Sequence, residues 1–120
     1  MAMTQKEQAN ALRALHRGPV PLIVENAWDA ASASLFAQMG FTAIATTSSG
    51  VAASLGYADG EQLSRTMLLD AVARITRAVA CPVTVDVEAG YRQSIEELLE
   101  TVRGVIVRGA VGINLEDSTK

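Results

Sequence analysis

The chain has 120 residues, 10 Lys+Arg against 13 Asp+Glu, a formal charge of −3, and 49% hydrophobic residues with few aromatics. That length holds one domain around one core and excludes two comfortable ones. It is also about half of the roughly 250 residues that a closed (β/α)8 barrel takes. Slight acidity without Lys/Arg clusters excludes a nucleic-acid or anionic-membrane partner.

Thr4 and Glu7 form the capping box of a first helix, with Ala9, Leu12 and Leu15 at helical spacing. Gly18 and Pro19 end it. Val20 to Val24 is an apolar run suited to a first strand, with Pro21 confining its start to the sheet rim. Asp29 caps a second helix over about 30–39, which Gly40 closes as a left-handed C′ glycine. Phe41 to Thr46 is the second strand, followed by a Thr47-Ser48-Ser49-Gly50 loop. The span from Ala30 to Ala58 has no charged residue, but its serines, threonines and glycines leave no apolar run long enough for a membrane helix.

Asp59 to Gln62 opens the longest helix, to about Val79, with Leu63, Met67, Ala71 and Ile75 on one face. Cys81, the only cysteine, excludes an internal disulfide; it precedes Pro82 in apolar surroundings and reads as a packed, inert thiol. Pro82 to Glu88 is the third strand. Ser94 and Glu97 form another capping box, and its helix turns Ile95, Leu98, Leu99, Val102 and Ile106 inward. Gly109 stops it before a fourth strand, Ala110 to Leu115. Helices alternating with strands imply an α/β fold with a parallel sheet and right-handed crossovers. Length alone also admits a complete doubly wound sheet. The N-terminus lacks the apolar core of a signal peptide, so a cytosolic protein is expected.

Ligands of parallel α/β folds bind at the carboxyl ends of the strands. Those ends read Glu25-Asn26, Ser48-Ser49-Gly50, Asp86-Val87-Glu88 and Glu116-Asp117. Asp86 and Glu88, two apart on one strand, share a face. Held that close they call for a cation or a proton between them, and Glu116 adds a third oxygen ligand. An all-oxygen set suits Mg²⁺ or Mn²⁺ better than zinc. Polar strand termini standing in solvent are the plainer alternative. Ser48 to Val51 offers hydroxyls and backbone N–H groups to an anion, or forms an ordinary turn. Asp59 can reach the site, cap the long helix, or both.

Taken in order, five stretches resemble the isocitrate lyase/phosphoenolpyruvate mutase superfamily. They are Asn26-Ala27-Trp28-Asp29-Ala30, Thr47-Ser48-Ser49-Gly50-Val51, Leu55-Gly56-Tyr57-Ala58-Asp59-Gly60, Asp86-Val87-Glu88-Ala89-Gly90-Tyr91 and Gly112 to Ser118. The resemblance implies a (β/α)8 TIM-barrel type fold, of which residues 1–120 are the N-terminal half: the first four strands with their helices. It implies Mg²⁺, with Mn²⁺ as a substitute, held by Asp86, Glu88 and Glu116. It further implies a small 2-oxo or 2-hydroxy acid bound by Ser49, Gly50 and Val51, with Asp59 as an acidic residue near the reaction centre. The chemistry implied is cleavage or formation of a C–C or P–C bond through an enolate stabilised by the metal.

Two departures stand out. Tyr91 is followed by Arg92 where the family reads Gly, and the family's Lys-Lys-Cys-Gly-His segment and its later substrate contacts are not within these 120 residues. The expectation is therefore a partial barrel, weakly active at most by itself and oligomeric with copies of itself. The alternative is a non-catalytic half-barrel that self-associates through its open edges.

Overall fold

The computed structural model describes residues 2–117. Its elements are α1 (Gln5–Arg17), β1 (Glu25–Ala27), α2 (Ala30–Gln38), β2 (Ile44–Thr46), α3 (Ser48–Ser54), α4 (Arg65–Ala78), β3 (Val83–Asp86), α5 (Ile95–Val107) and β4 (Gly112–Asn114). All strand pairs are parallel, and the strands lie in the order β1-β2-β3-β4. Each crossover therefore steps the same way, which places the connecting helices on one face. A doubly wound sheet would reverse direction at a switch point. The order is that of a barrel wall, and it sets the complete doubly wound reading aside.

The core lies between that wall and its helices. Ile44, Val83 and Val85 meet Leu68, Val72 and Ile75 of α4 and Val105 of α5 there. The other face is small and polar. Asn26, Ala45, Thr84 and Gly112 line a cavity of about 380 Å³ with Leu12 and His16 of α1. α1 is tied to the chain ahead of the strands: Gln5 Nε2 donates to the Ala110 carbonyl at 3.0 Å, and Gln8 Nε2 to that of Ala80 at 2.9 Å. Trp28, Phe36 and Phe41 stack edge-to-face, at centroid distances of 6.1 and 6.3 Å, beside the start of α3.

Two caps stand as expected. Thr4 accepts from the Glu7 N–H while Glu7 returns a bond to Thr4, and Asp29 accepts from Ser32 at 2.7 Å. The Thr4 hydrogen bonds hold the Glu7 carboxyl below its ordinary range. A carboxyl depressed in the folded state stabilises fully above its unfolded pKa and loses that contribution as pH falls through the folded one. The first turn of α1 is thus expected to fray on acidification below the usual carboxylate range. Amide exchange of Gln8 against pH checks this, and no change down to full protonation would refute it.

Four elements depart from expectation. β1 starts at Glu25, because Pro19 and Pro21 offer no N–H and Val20 and Ile23 remain 72% and 70% exposed. The Thr47–Gly50 loop is the beginning of α3, since the Thr47 hydroxyl accepts from the Gly50 N–H and caps a helix. The long helix starts at Arg65 under Ser64, not under Asp59: Gly60 (φ 93°) and Glu61 (φ 58°) are left-handed and cannot continue a right-handed helix. α5 buries Thr101 and Val105 and leaves Ile95, Leu99 and Ile106 exposed. Gly104 selects that face, because a Cβ there would stand 2.6 Å from Leu69 Cδ1 of α4. At its N-terminus Ser94 caps through the Glu97 N–H, whereas the Glu97 carboxylate accepts from Gln93 rather than Ser94.

Candidate active site at the carboxyl end of the sheet

β3 carries the site. Its last residue, Asp86, is held at both ends. Its N–H donates to Thr46 Oγ1 (3.0 Å), and its Oδ1 accepts from the Glu88 N–H (3.0 Å). Oδ2 lies 3.4 Å from the Ser48 N–H, which joins the acidic segment to the first turn of α3. The strand ends here. Glu88 takes a left-handed backbone (φ 51°), so strict alternation does not extend from Asp86 to Glu88.

Glu88 is buried, 5% exposed, and its Oε2 accepts from the Glu61 N–H (3.1 Å) and the Tyr91 hydroxyl (3.2 Å). Donors of this kind are what a buried carboxylate requires. Glu61 returns the contact, its Oε2 accepting from the Ala89 N–H at 3.0 Å. Burial pushes the Tyr91 phenol well up, and the charges of Glu88, Glu61 and Asp86 push it the same way. Tyr91 therefore stays protonated and donates to Glu88. The turn is closed by the Gly90 N–H to the Val87 carbonyl (2.8 Å) and by Arg92 Nε to the Ala89 carbonyl (3.0 Å). Arg92 thus braces the turn through Ala89. Gly90 (φ 91°) admits no larger residue without strain, since a Cβ would sit 2.5 Å from Leu98 Cδ1.

Glu116 belongs to the same rim through its backbone. Its N–H donates to the Glu88 carbonyl at 2.7 Å, while the residue is exposed. The expected carboxylates are thus neighbours along one rim, but among the described residues no three acidic, histidine or cysteine side chains converge as a metal cluster. Mg²⁺ needs no such cluster: it is typically held by one or two carboxylates, with water and ligand oxygens completing six. The hard carboxylate oxygens at the end of β3 fit that chemistry.

Ser49, Gly50 and Val51 lie on α3. The N–H groups of Gly50 and Val51 already go to the Thr47 hydroxyl (3.3 Å) and carbonyl (2.9 Å), so they are helix donors and not an open anion cradle. Ser49 is exposed, its hydroxyl 3.2 Å from Thr47 Oγ1. Asp59 is exposed in the turn before Gly60, and the cap expected of it is supplied by Ser64. Glu61, which the sequence pattern puts at the opening of the long helix, instead turns to the Glu88–Ala89 segment. Ser118, at the end of the Gly112 to Ser118 stretch, lies outside the described residues. Cys81 is half-buried, and burial raises its thiol pKa, in keeping with an inert packed side chain. Among the described residues no helix is long and apolar enough to cross a membrane.

Comparison with known proteins fits this geometry. The family model described as phosphoenolpyruvate phosphomutase matches residues 12–120. A Burkholderia cenocepacia J2315 protein of known structure superposes with a TM-score of 0.91 and 46% identity, over 93% of this chain and 46% of its own. The phosphoenolpyruvate phosphomutase of Streptomyces platensis subsp. rosaceus superposes with a TM-score of 0.81 and 32% identity, over 91% of this chain and 38% of its own. The 2-methylisocitrate lyase of Escherichia coli (strain K12) is 32% identical over 116 residues, 96% of this chain and 39% of the enzyme. The chain spans about two fifths of the length of the curated relatives it matches. Four parallel strands in barrel order, an acidic rim at their carboxyl ends and these matches together place the chain in the phosphoenolpyruvate phosphomutase family of the isocitrate lyase/phosphoenolpyruvate mutase superfamily.

Proposed function

We propose that this chain carries the metal-binding half of the active site of a Mg²⁺-dependent lyase or mutase. Its substrate is a small 2-oxo or 2-hydroxy acid, and the reaction makes or breaks a C–C or P–C bond beside the oxo carbon. The observation that carries this reading is the 3.4 Å approach of the Ser48 N–H to Asp86 Oδ2, which sets the α3 segment and the acidic rim side by side. Asp86 would hold the ion directly, with Glu88 and Glu116 acting through water. Glu88 already has donors on Oε2, and Glu116 reaches the rim through its backbone. Mn²⁺ is expected to substitute. When bound, the ion supplies a Lewis acid for the carboxylate and oxo oxygens of the substrate and for the enolate that develops on them.

The chain's own residues do the rest. Ser49 offers its hydroxyl to the substrate carboxylate, while Gly50 and Val51 form the backbone wall behind it. Asp59, exposed in the turn next to Glu61, faces solvent where a proton would be exchanged. Tyr91 keeps its proton and so holds Glu88 as an acceptor. Binding of Mn²⁺, followed by Mn²⁺-dependent binding of oxalate, a planar mimic of the enolate, is the expected result in isothermal titration. Pyruvate release from a 2-oxo or 2-hydroxy acid would then mark C–C cleavage, and isomerisation between a phosphonate and a phosphate ester would mark P–C chemistry. Absence of both binding events would overturn the proposal.

A second reading is a non-catalytic half-barrel paired with another copy. It is favoured by the exposed Ile95, Leu99, Ile106 and Val107 of α5 and by an apolar groove of about 440 Å³ between α1 and α5. A stable dimer in sedimentation, together with no Mn²⁺ binding, would select it.

A further inference from the structure

Among the described residues, the non-glycine residues with a left-handed backbone are Glu61 (φ 58°), Glu88 (φ 51°) and Tyr91 (φ 52°). Hydrogen bonds join all three into one cluster. Such conformations are costly for an L side chain and persist only where the surroundings enforce them. Here the enforcement is a reciprocal clasp. The Glu61 N–H donates to Glu88 Oε2 at 3.1 Å, and the Ala89 N–H donates to Glu61 Oε2 at 3.0 Å.

We propose that Glu61 is a positioning residue for the metal site, its clasp on the 88–89 turn fixing the Glu88 carboxylate at the end of β3. The inference rests on the metal-binding reading above. One bond of the clasp holds the Glu88 side chain and the other holds the backbone just beyond it, so the carboxylate can neither swing nor slide. Tyr91 supplies the second donor to the same Oε2 from within the turn. The clasp also ties the Asp59–Gly60 turn to the rim, across 27 residues of sequence. Partners that orient a metal-binding carboxylate, without touching the ion, commonly set its affinity by 10–100-fold.

The test is Mn²⁺ affinity, read by electron paramagnetic resonance on the folded protein and on Glu61→Ala and Glu61→Gln. Wild-type protein binds, and Glu61→Ala binds about 10–100-fold more weakly. Glu61→Gln keeps an acceptor oxygen for the Ala89 N–H and restores most of the affinity. Should Glu61→Ala not fold, Glu61→Asp takes its place with the same expected loss, because its side chain is one methylene too short for Ala89. Wild-type affinity in Glu61→Ala would overturn the proposal. So would a Glu61→Gln variant as weak as Glu61→Ala, because Glu61 would then be a ligand. If wild-type protein binds no Mn²⁺, the metal-binding reading itself falls, and the positioning role falls with it.

Discussion

Asp86→Asn is expected to lose Mn²⁺ binding by about 100-fold or more, beyond the 10–100-fold typical when only an outer partner is removed. The substitution is chosen to spare the fold. Asparagine keeps the Oδ1 that accepts from the Glu88 N–H at 3.0 Å, and the backbone N–H that donates to Thr46 Oγ1 is untouched. What goes is the negative charge, which a hard divalent cation needs from its anchoring ligand, and with it the acceptor 3.4 Å from the Ser48 N–H. Asp86 sits at the end of a paired strand, with Thr84, Val85 and Asp86 in register with Gly112, Ile113 and Asn114. Its position is therefore set by the sheet, and an effect on binding cannot be attributed to a wandering loop. Mn²⁺ and oxalate titrations, with circular dichroism as the check on folding, measure the outcome. Binding within a few-fold of wild type, in a folded Asp86→Asn protein, would remove Asp86 from the ligand set and leave the proposed function without its anchor.

The parts of this architecture that were legible in the sequence are those written in local chemistry. The Thr4–Glu7 and Asp29 caps, the left-handed Gly40, the helix stop at Gly109, and the alternation of helices with strands all depend on residues a few positions apart. The acidic residues at the end of β3 were legible for the same reason, because a strand body of Val83, Thr84 and Val85 gives way abruptly to charge. Besides the late start of β1 and the Thr47 cap of α3, three features were not legible for tertiary reasons. The delayed start of α4 follows from the left-handed Gly60-Glu61 pair, whose partner lies 27 residues away. The choice of buried face on α5 follows from Gly104 meeting Leu69 of α4, because the helix carries apolar residues around more than one side. Alternation predicts that Glu88 shares a face with Asp86, but it cannot see the left-handed turn that breaks the pleat between the two. Two of these conflicts of local rule and fold, at Glu61 and Glu88, fall at the proposed site, as expected when strain serves function.

Ile44→Ala is expected to destabilise the protein by about 2–5 kcal/mol, a large share of the roughly 5–15 kcal/mol that holds a domain of this kind folded. Ile44 is 0% exposed on the inner strand β2, paired with Glu25 on one side and Val83 on the other. Its side chain belongs to the cluster that includes Leu68, Val72 and Ile75, so its truncation leaves a cavity under two layers at once. Val20→Ala and Ile23→Ala, equally apolar but 72% and 70% exposed, should cost no more than about 0.5 kcal/mol. Urea unfolding measures the difference as a shift in midpoint at constant slope. A loss below about 1 kcal/mol for Ile44→Ala would mean that the helix-facing side of the sheet is not the main source of stability. The same variant separates packing from chemistry. Ala45, the next residue, faces the opposite cavity, and Thr46 beyond it holds the Asp86 N–H through its hydroxyl. Well below the unfolding midpoint, Ile44→Ala should therefore bind Mn²⁺ as wild type does, whereas a folded Asp86→Asn protein should not.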